Sequence, residues 1–184
     1  MEKIAVENLM VPVKEYATVS ENATLYEAVK ALEKAQEDFN PKDSRHLHRQ
    51  LLVIDKHGDI IGKIGQLDII MSLEPKYNNM GDMRYLSRTG FSSHFIKTIM
   101  EKNALFEIPL ADMCKNAKNL IVKDFMYSPR EDEYVEATAS LRLAVHMLIV
   151  SGHHNLLVTR NNKIVGILRL ADVFNEIAKN WCTD

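Results

Sequence analysis

The stretch IIGKIGQLDII, Ile60 to Ile70, returns in outline as IVGILRLADVF, Ile164 to Phe174. A chain that repeats itself folds as repeated units, and this restricts its architecture more than any bulk property does. The echo extends well beyond these two stretches. Val6, Met10, Val19, Leu25, Ala28 and Leu32 keep the same order and spacing as Val122, Met126, Val135, Leu141, Ala144 and Leu148. Leu52, Gly62 and Asp68 then match Leu156, Gly166 and Asp172, once about a dozen extra residues in the first copy are allowed for.

Both copies predict the same elements. Leu25, Ala28, Val29 and Leu32 fall at helical spacing, as do their counterparts in TASLRLAVHMLIVSG, where Gly152 stands as a C-terminal cap. A short apolar strand follows, LLVID or LLVT, then a polar turn, KHGD or RNNK, and a second strand, IIGKI or IVGIL. That pattern is a hairpin. A helix closes each unit. One such unit is too small to bury both of its faces, so two must pack together. The expected class is α/β: two strand-helix-strand-strand-helix repeats packed together. The boundaries are 1–72 for the first repeat, with an insertion at about 36–50, and 119–184 for the second. Residues 73–118 form an extra helical segment between them.

The chain has 184 residues, 46% of them apolar and 26% charged, with a net charge of -2. It is long enough for a substantial core. Its charge balance does not favour nucleic acid or an anionic membrane. Cys114 and Cys182 have no metal-type spacing. No stretch reaches the roughly 18 apolar residues of a membrane span, and no leader is evident at the N-terminus. The expectation is a cytoplasmic protein. There is no GxSxG, P-loop or dinucleotide fingerprint. The sequence gives no positive reason to expect an enzyme.

The repeated order of V-x-x-x-M, a helix with A-V, an apolar strand, G-D-I-I-G and an Asp six residues beyond its last Gly resembles the cystathionine beta-synthase (CBS) domain. Two copies resemble a CBS pair, or Bateman module, over about 3–72 and 119–180. The resemblance implies pseudo-twofold symmetry between the repeats and two clefts between them. It also implies an adenosine-containing ligand (AMP, ADP, ATP or S-adenosylmethionine), with no cofactor required. The module would regulate a protein partner not named by the sequence, and would form a homodimer through its helices. In that family a Ser or Thr stands three residues before the Asp, whose carboxylate accepts hydrogen bonds from ribose hydroxyls. Here Gly65 precedes Asp68 and Arg169 precedes Asp172.

The resemblance assigns Asp68 and Asp172 to ribose. Ile64 and Leu168 would flank a base, and Arg49, His153 and His154 would border the pocket. A second reading of both Asp residues is helix capping, with Gly65 as N-cap. Arg169 is read either as a phosphate ligand or as a solvated side chain. The alternative at the level of function is a dimeric interaction module with empty or vestigial clefts. In the insertion, Lys42, Arg45 and Arg49 would form a lid over phosphate, or else a plain surface loop. His46 and His48 share a strand face without the partners of a metal site.

Between the repeats, Ser92 or Ser93 would cap a helix. Its stripe of Phe95, Ile96, Ile99 and Met100 reads as core, or else as a dimer or partner surface. Pro109 suits a first helical position.

Overall fold

A computed structural model describes residues 3–37, 49–80 and 90–181. Lys42, Arg45, His46 and His48, assigned to the lid and the paired histidines, lie outside these residues. The expected α/β order is present in both copies. In the first, β2 (Thr18–Ser20), α1 (Leu25–Glu37), β3 (Gln50–Ile54), β4 (Ile60–Gly65) and α2 (Gln66–Ser72) follow one another. In the second, β5 (Tyr134–Glu136), α6 (Leu141–Ser151), β6 (Asn155–Arg160), β7 (Lys163–Arg169) and α7 (Leu170–Trp181) repeat them. In each sheet the leading strand pairs parallel with the next, which turns back antiparallel. Gly152 ends α6 at φ 66°, as a left-handed cap. Asn161 and Asn162 turn the second hairpin at φ 52° and 60°.

The copies in the sequence are not the packing units. β1 (Val11–Pro12), from the leading segment of the first copy, pairs antiparallel with β7 of the second. The matching residue of the second copy, Tyr127, pairs with Lys63 on β4 of the first. Backbone hydrogen bonds extend the exchange. Val6 N–H donates to Ala139 and Leu141 N–H to Ile4; at the equivalent places Val122 donates to Ala23 and Leu25 to Leu120, all within 2.7–2.9 Å. Val6 and Leu9 therefore complete the core around Val135, Leu141 and Leu156. Val122 completes the one around Val19, Ala28 and Leu51. A third cluster, Tyr16, Leu52, Leu157 and Ile167, joins the two halves.

The crossing explains the repeated glycines. A Cβ on Gly166 would lie 2.6 Å from the sulfur of Met10 and 2.8 Å from the Val11 carbonyl oxygen. On Gly62 it would meet Met126 at 2.8 Å and the Tyr127 carbonyl at 3.1 Å. Only a bare backbone lets the exchanged segment pass this closely.

One contact breaks the symmetry. Lys63 of β4 reaches across to Glu133, whose side chain is fully buried. Tyr127 donates its hydroxyl to the same carboxylate at 2.5 Å, and Arg130 N–H donates at 3.1 Å. Burial pushes the Glu133 carboxyl upward, but the hydrogen bonds from Lys63 and Tyr127 outweigh it and hold it below its usual 4.5.

The segment between the repeats contains α3 (Ser93–Lys102) and α4 (Leu110–Ala117), followed by the single turn α5 (Val122–Phe125). Ser92 caps α3 by accepting from Phe95 N–H at 3.1 Å. Pro109 is the N-cap of α4, one position earlier than expected. The core reading of the α3 stripe is corrected. Phe95, Ile96 and Met100 are 44%, 54% and 54% exposed, and no residue of α3 is buried. The segment is tied down elsewhere, by buried Leu105 and Met113 and by Glu74. The Glu74 carboxylate accepts from Phe106 N–H at 2.8 Å.

Gly166→Ala should destabilise the fold by about 1–3 kcal/mol through overpacking against backbone. Gly62→Ala should cost less, because the backbone carbonyl there lies at 3.1 Å rather than 2.8 Å. Urea denaturation of the two variants checks this; equal losses contradict it. Glu133 has a lowered pKa in the folded state, so its contribution is complete above about 4.5 and is lost as pH falls through the lowered value. Stability of wild type measured against pH should therefore fall on acidification more steeply than that of Glu133→Gln. Parallel curves would contradict the assignment.

Candidate functional site

A cavity of about 860 Å³ opens between the two repeats. Its walls come from both. The first repeat supplies Tyr16, just before β2, and Arg49 and Gln50, where β3 begins. The second supplies His154 and Asn155 at the equivalent strand start, then Arg169, Leu170, Ala171, Phe174 and Asn175 at the end of β7 and the first turns of α7. The repeated strand entries face one another because the exchanged segments hold the two sheets side by side. Leu170 N–H donates to the His154 carbonyl at 2.8 Å, fixing the helix start against the strand start.

The wall combines polar and apolar groups. Phe174 and Leu170, four residues apart on α7, are 61% and 42% exposed. That spacing puts them on one helix face. Tyr16 is buried, and Gln50 donates its amide to the phenol oxygen at 3.4 Å. Burial raises the Tyr16 hydroxyl above its usual 10.0, while the Gln50 hydrogen bond and the charge of Arg169 work against the rise. The charged or chargeable wall residues besides Tyr16 are Arg49, His154 and Arg169, all basic.

Arg169 is neither solvated nor open on every side. Its Nε donates to Asp172 Oδ2 at 2.6 Å and its Nη2 to Oδ1 at 2.8 Å. The Arg169 side chain is 10% exposed and that of Asp172 is 1%. Asp172 thus stands behind Arg169, outside the cavity wall. A two-point fork of this kind fixes the plane of the guanidinium.

The first repeat solves the same position differently. Gly65 is the N-cap of α2, and its N–H donates to Asp68 Oδ2 at 2.7 Å. The capping reading of Asp68 matches this geometry. Ile64 and Leu168, expected beside a base, are wholly enclosed in the two repeat cores. Strand side chains alternate, so Arg169, which follows Leu168, turns to the opposite face, at the cavity wall. His153 is not in the cavity wall; its Nε2 lies 3.4 Å from Asp132 Oδ2. The sequence reading thus placed Arg49, His154 and Arg169 at the cavity, and missed Tyr16, Gln50 and Phe174. The apolar pair Leu170 and Phe174, four residues apart at helical spacing, was the signal for the last of these.

A second hollow, of about 620 Å³, lies by the two hairpin turns, where Lys163 is 3.8 Å from Asp59. Among the described residues no group of His, Cys, Asp and Glu is arranged to hold a metal ion. Among them, too, no helix is long and apolar enough to cross a membrane.

A family model for the CBS domain matches residues 6–74 and 122–179. Solved structures with CBS domains share the fold. A CBS domain-containing protein of unknown function from Bacillus anthracis str. Ames Ancestor has a TM-score of 0.63 at 15% identity, covering 97% of this chain and 95% of that one. The CBS domain of a CBS domain containing membrane protein from Sphaerobacter thermophilus gives 0.59 at 17%, covering 95% and 88%. CBSX2, solved in complex with AMP, gives 0.57 at 16%, covering 96% and 98%. No curated protein sequence matches this chain.

The two Asp residues should differ in what their removal costs. Asp172→Ala leaves the Arg169 charge buried without its partner, at a cost of about 3 kcal/mol or more. Asp68→Ala loses a cap interaction worth about 1 kcal/mol. Chemical denaturation of both variants measures the difference, and equal costs would contradict it.

Proposed function

This chain belongs to the CBS-domain family, and from that premise we propose that it binds an adenosine-containing ligand between its repeats and relays that event to a partner protein. The tandem CBS arrangement is that of a regulatory module, and proteins built of CBS domains alone are typically regulators rather than enzymes. The observation that carries the reading is the cavity itself. It is walled by both repeats, and its lining holds an apolar helix face together with basic groups. Phe174 and Leu170 suit the flat face of a base. Arg49, Arg169 and His154 suit phosphate oxygens. The AMP complex of the structural neighbour CBSX2 supports the choice of ligand.

Signalling follows from Tyr16. It belongs both to the cavity wall and to the cluster with Leu52, Leu157 and Ile167 that joins the halves. A ligand that contacts both walls favours the relative orientation of the repeats in which those contacts are made. A partner sensitive to that orientation then reads the shift in population.

Wild-type protein should be stabilised by about 2.7 kcal/mol when such a ligand is present at 100-fold its dissociation constant. Thermal shift against AMP, ADP, ATP and S-adenosylmethionine, followed by calorimetry on any hit, makes the test. A flat response to all four would sink the proposal.

A further inference from the structure

We infer that this cleft recognises its ligand through an anionic phosphate group held by Arg169, and that Asp172 is the positioning residue for that guanidinium rather than a ribose acceptor. The inference rests on the reading of the cavity as a ligand site and specifies what the site reads. Both carboxylate oxygens of Asp172 are engaged by Arg169, at 2.6 and 2.8 Å. The Asp172 side chain is 1% exposed and is not part of the cavity wall, whereas Arg169 is. For ribose hydroxyls to reach Asp172, a buried bidentate ion pair must first open, leaving a guanidinium without its counter-charge. A phosphate requires no such opening. It meets the N–H groups that the fork does not use, already held in one plane.

The pair carries no net charge, so the attraction must come from elsewhere on the wall. Arg49 supplies it from an exposed position at the start of β3, with His154 opposite at the start of β6. The division of labour is then definite: Arg49 draws the anion in, and Arg169 orients it. The equivalent position of the first repeat holds Gly65, which has no side-chain donor, and Asp68 there accepts from the Gly65 backbone. Phosphate recognition of this kind is therefore confined to one of the two related places in the fold.

The test uses the full chain and two sets of probes, inorganic pyrophosphate and the pair AMP and 2′,3′-dideoxy-AMP. Calorimetry should show saturable binding of millimolar pyrophosphate, and NMR should show the Arg169 Nε–H resonance moving during the titration. AMP and its dideoxy analogue should bind within about threefold of each other, a gap well under the 1.4 kcal/mol of a tenfold change. Asp172→Asn should weaken both nucleotides and pyrophosphate together, and Asp172→Glu should restore part of the loss. Absence of pyrophosphate binding overturns the inference. So does a preference of about tenfold or more for AMP over the dideoxy compound that Asp172→Asn abolishes. If Asp172→Asn does not fold, the comparison of AMP with its analogue on wild type still decides. If neither nucleotide binds, the adenosine reading fails by itself, and the pyrophosphate titration with the Arg169 resonance still decides this one.

Discussion

Each half of this molecule closes its core with a segment from the other half. Val6 and Leu9 lie among residues of the second repeat, and Val122 among residues of the first. Every other feature of the architecture is subject to that exchange. It draws the two sheets together and brings the starts of β3 and β6 to face each other across the cavity. It also imposes glycine where Met10 and Met126 cross the strands. The exchange joins the halves through ordinary means, strand pairing and apolar burial, with no need for a covalent tie.

Departures from symmetry appear where function would need them. Lys63 and Glu133 form a buried cross-repeat ion pair, while Ile167 and Ala17 occupy the equivalent positions without charge. Such pairs add less to stability than their geometry suggests, because both charges lose water. Their value here is directional: the pair is satisfied in one relative placement of the halves. Arg169 and Gly65 are the second departure. A near-symmetric scaffold thus presents unlike residues at two related positions.

The order of elements was legible because apolar spacing changes with element type, from helical in LYEAVKAL to strand-like in LLVID. The two-copy pattern was legible for the same reason. The exchange was not. A leading segment packed on its own repeat and one packed on the other bury the same side chains, so the residues do not distinguish them. Even the matched pair Gly62 and Gly166 marks a close approach without naming what approaches. At the site, Arg49 and His154 were placed by their position at strand entries. The Arg169–Asp172 fork was within reach, since residues three apart at a helix start are neighbours. The two side chains satisfy each other, with no ligand needed to account for either charge. The α3 stripe failed differently: amphipathic spacing says that a helix has an apolar face, not that something in the same chain covers it.

The exchange also gives the chain an order of events in time. Synthesis runs from the N-terminus, so residues 4–12 leave the ribosome long before their partners at Ala139, Leu141 and Gly166–Ile167. Residues 120–127 have the opposite fortune, since Ala23, Leu25 and Lys63 are already made when they emerge. The first half can therefore be closed while the second is still being translated. Residues 4–12, with Val6 and Leu9 uncovered, must wait for the second repeat. Contacts so distant in sequence slow folding and prolong the exposure of apolar surface. The same strand crossing that unites the two halves leaves residues 4–12 without their partners until the second repeat has been made.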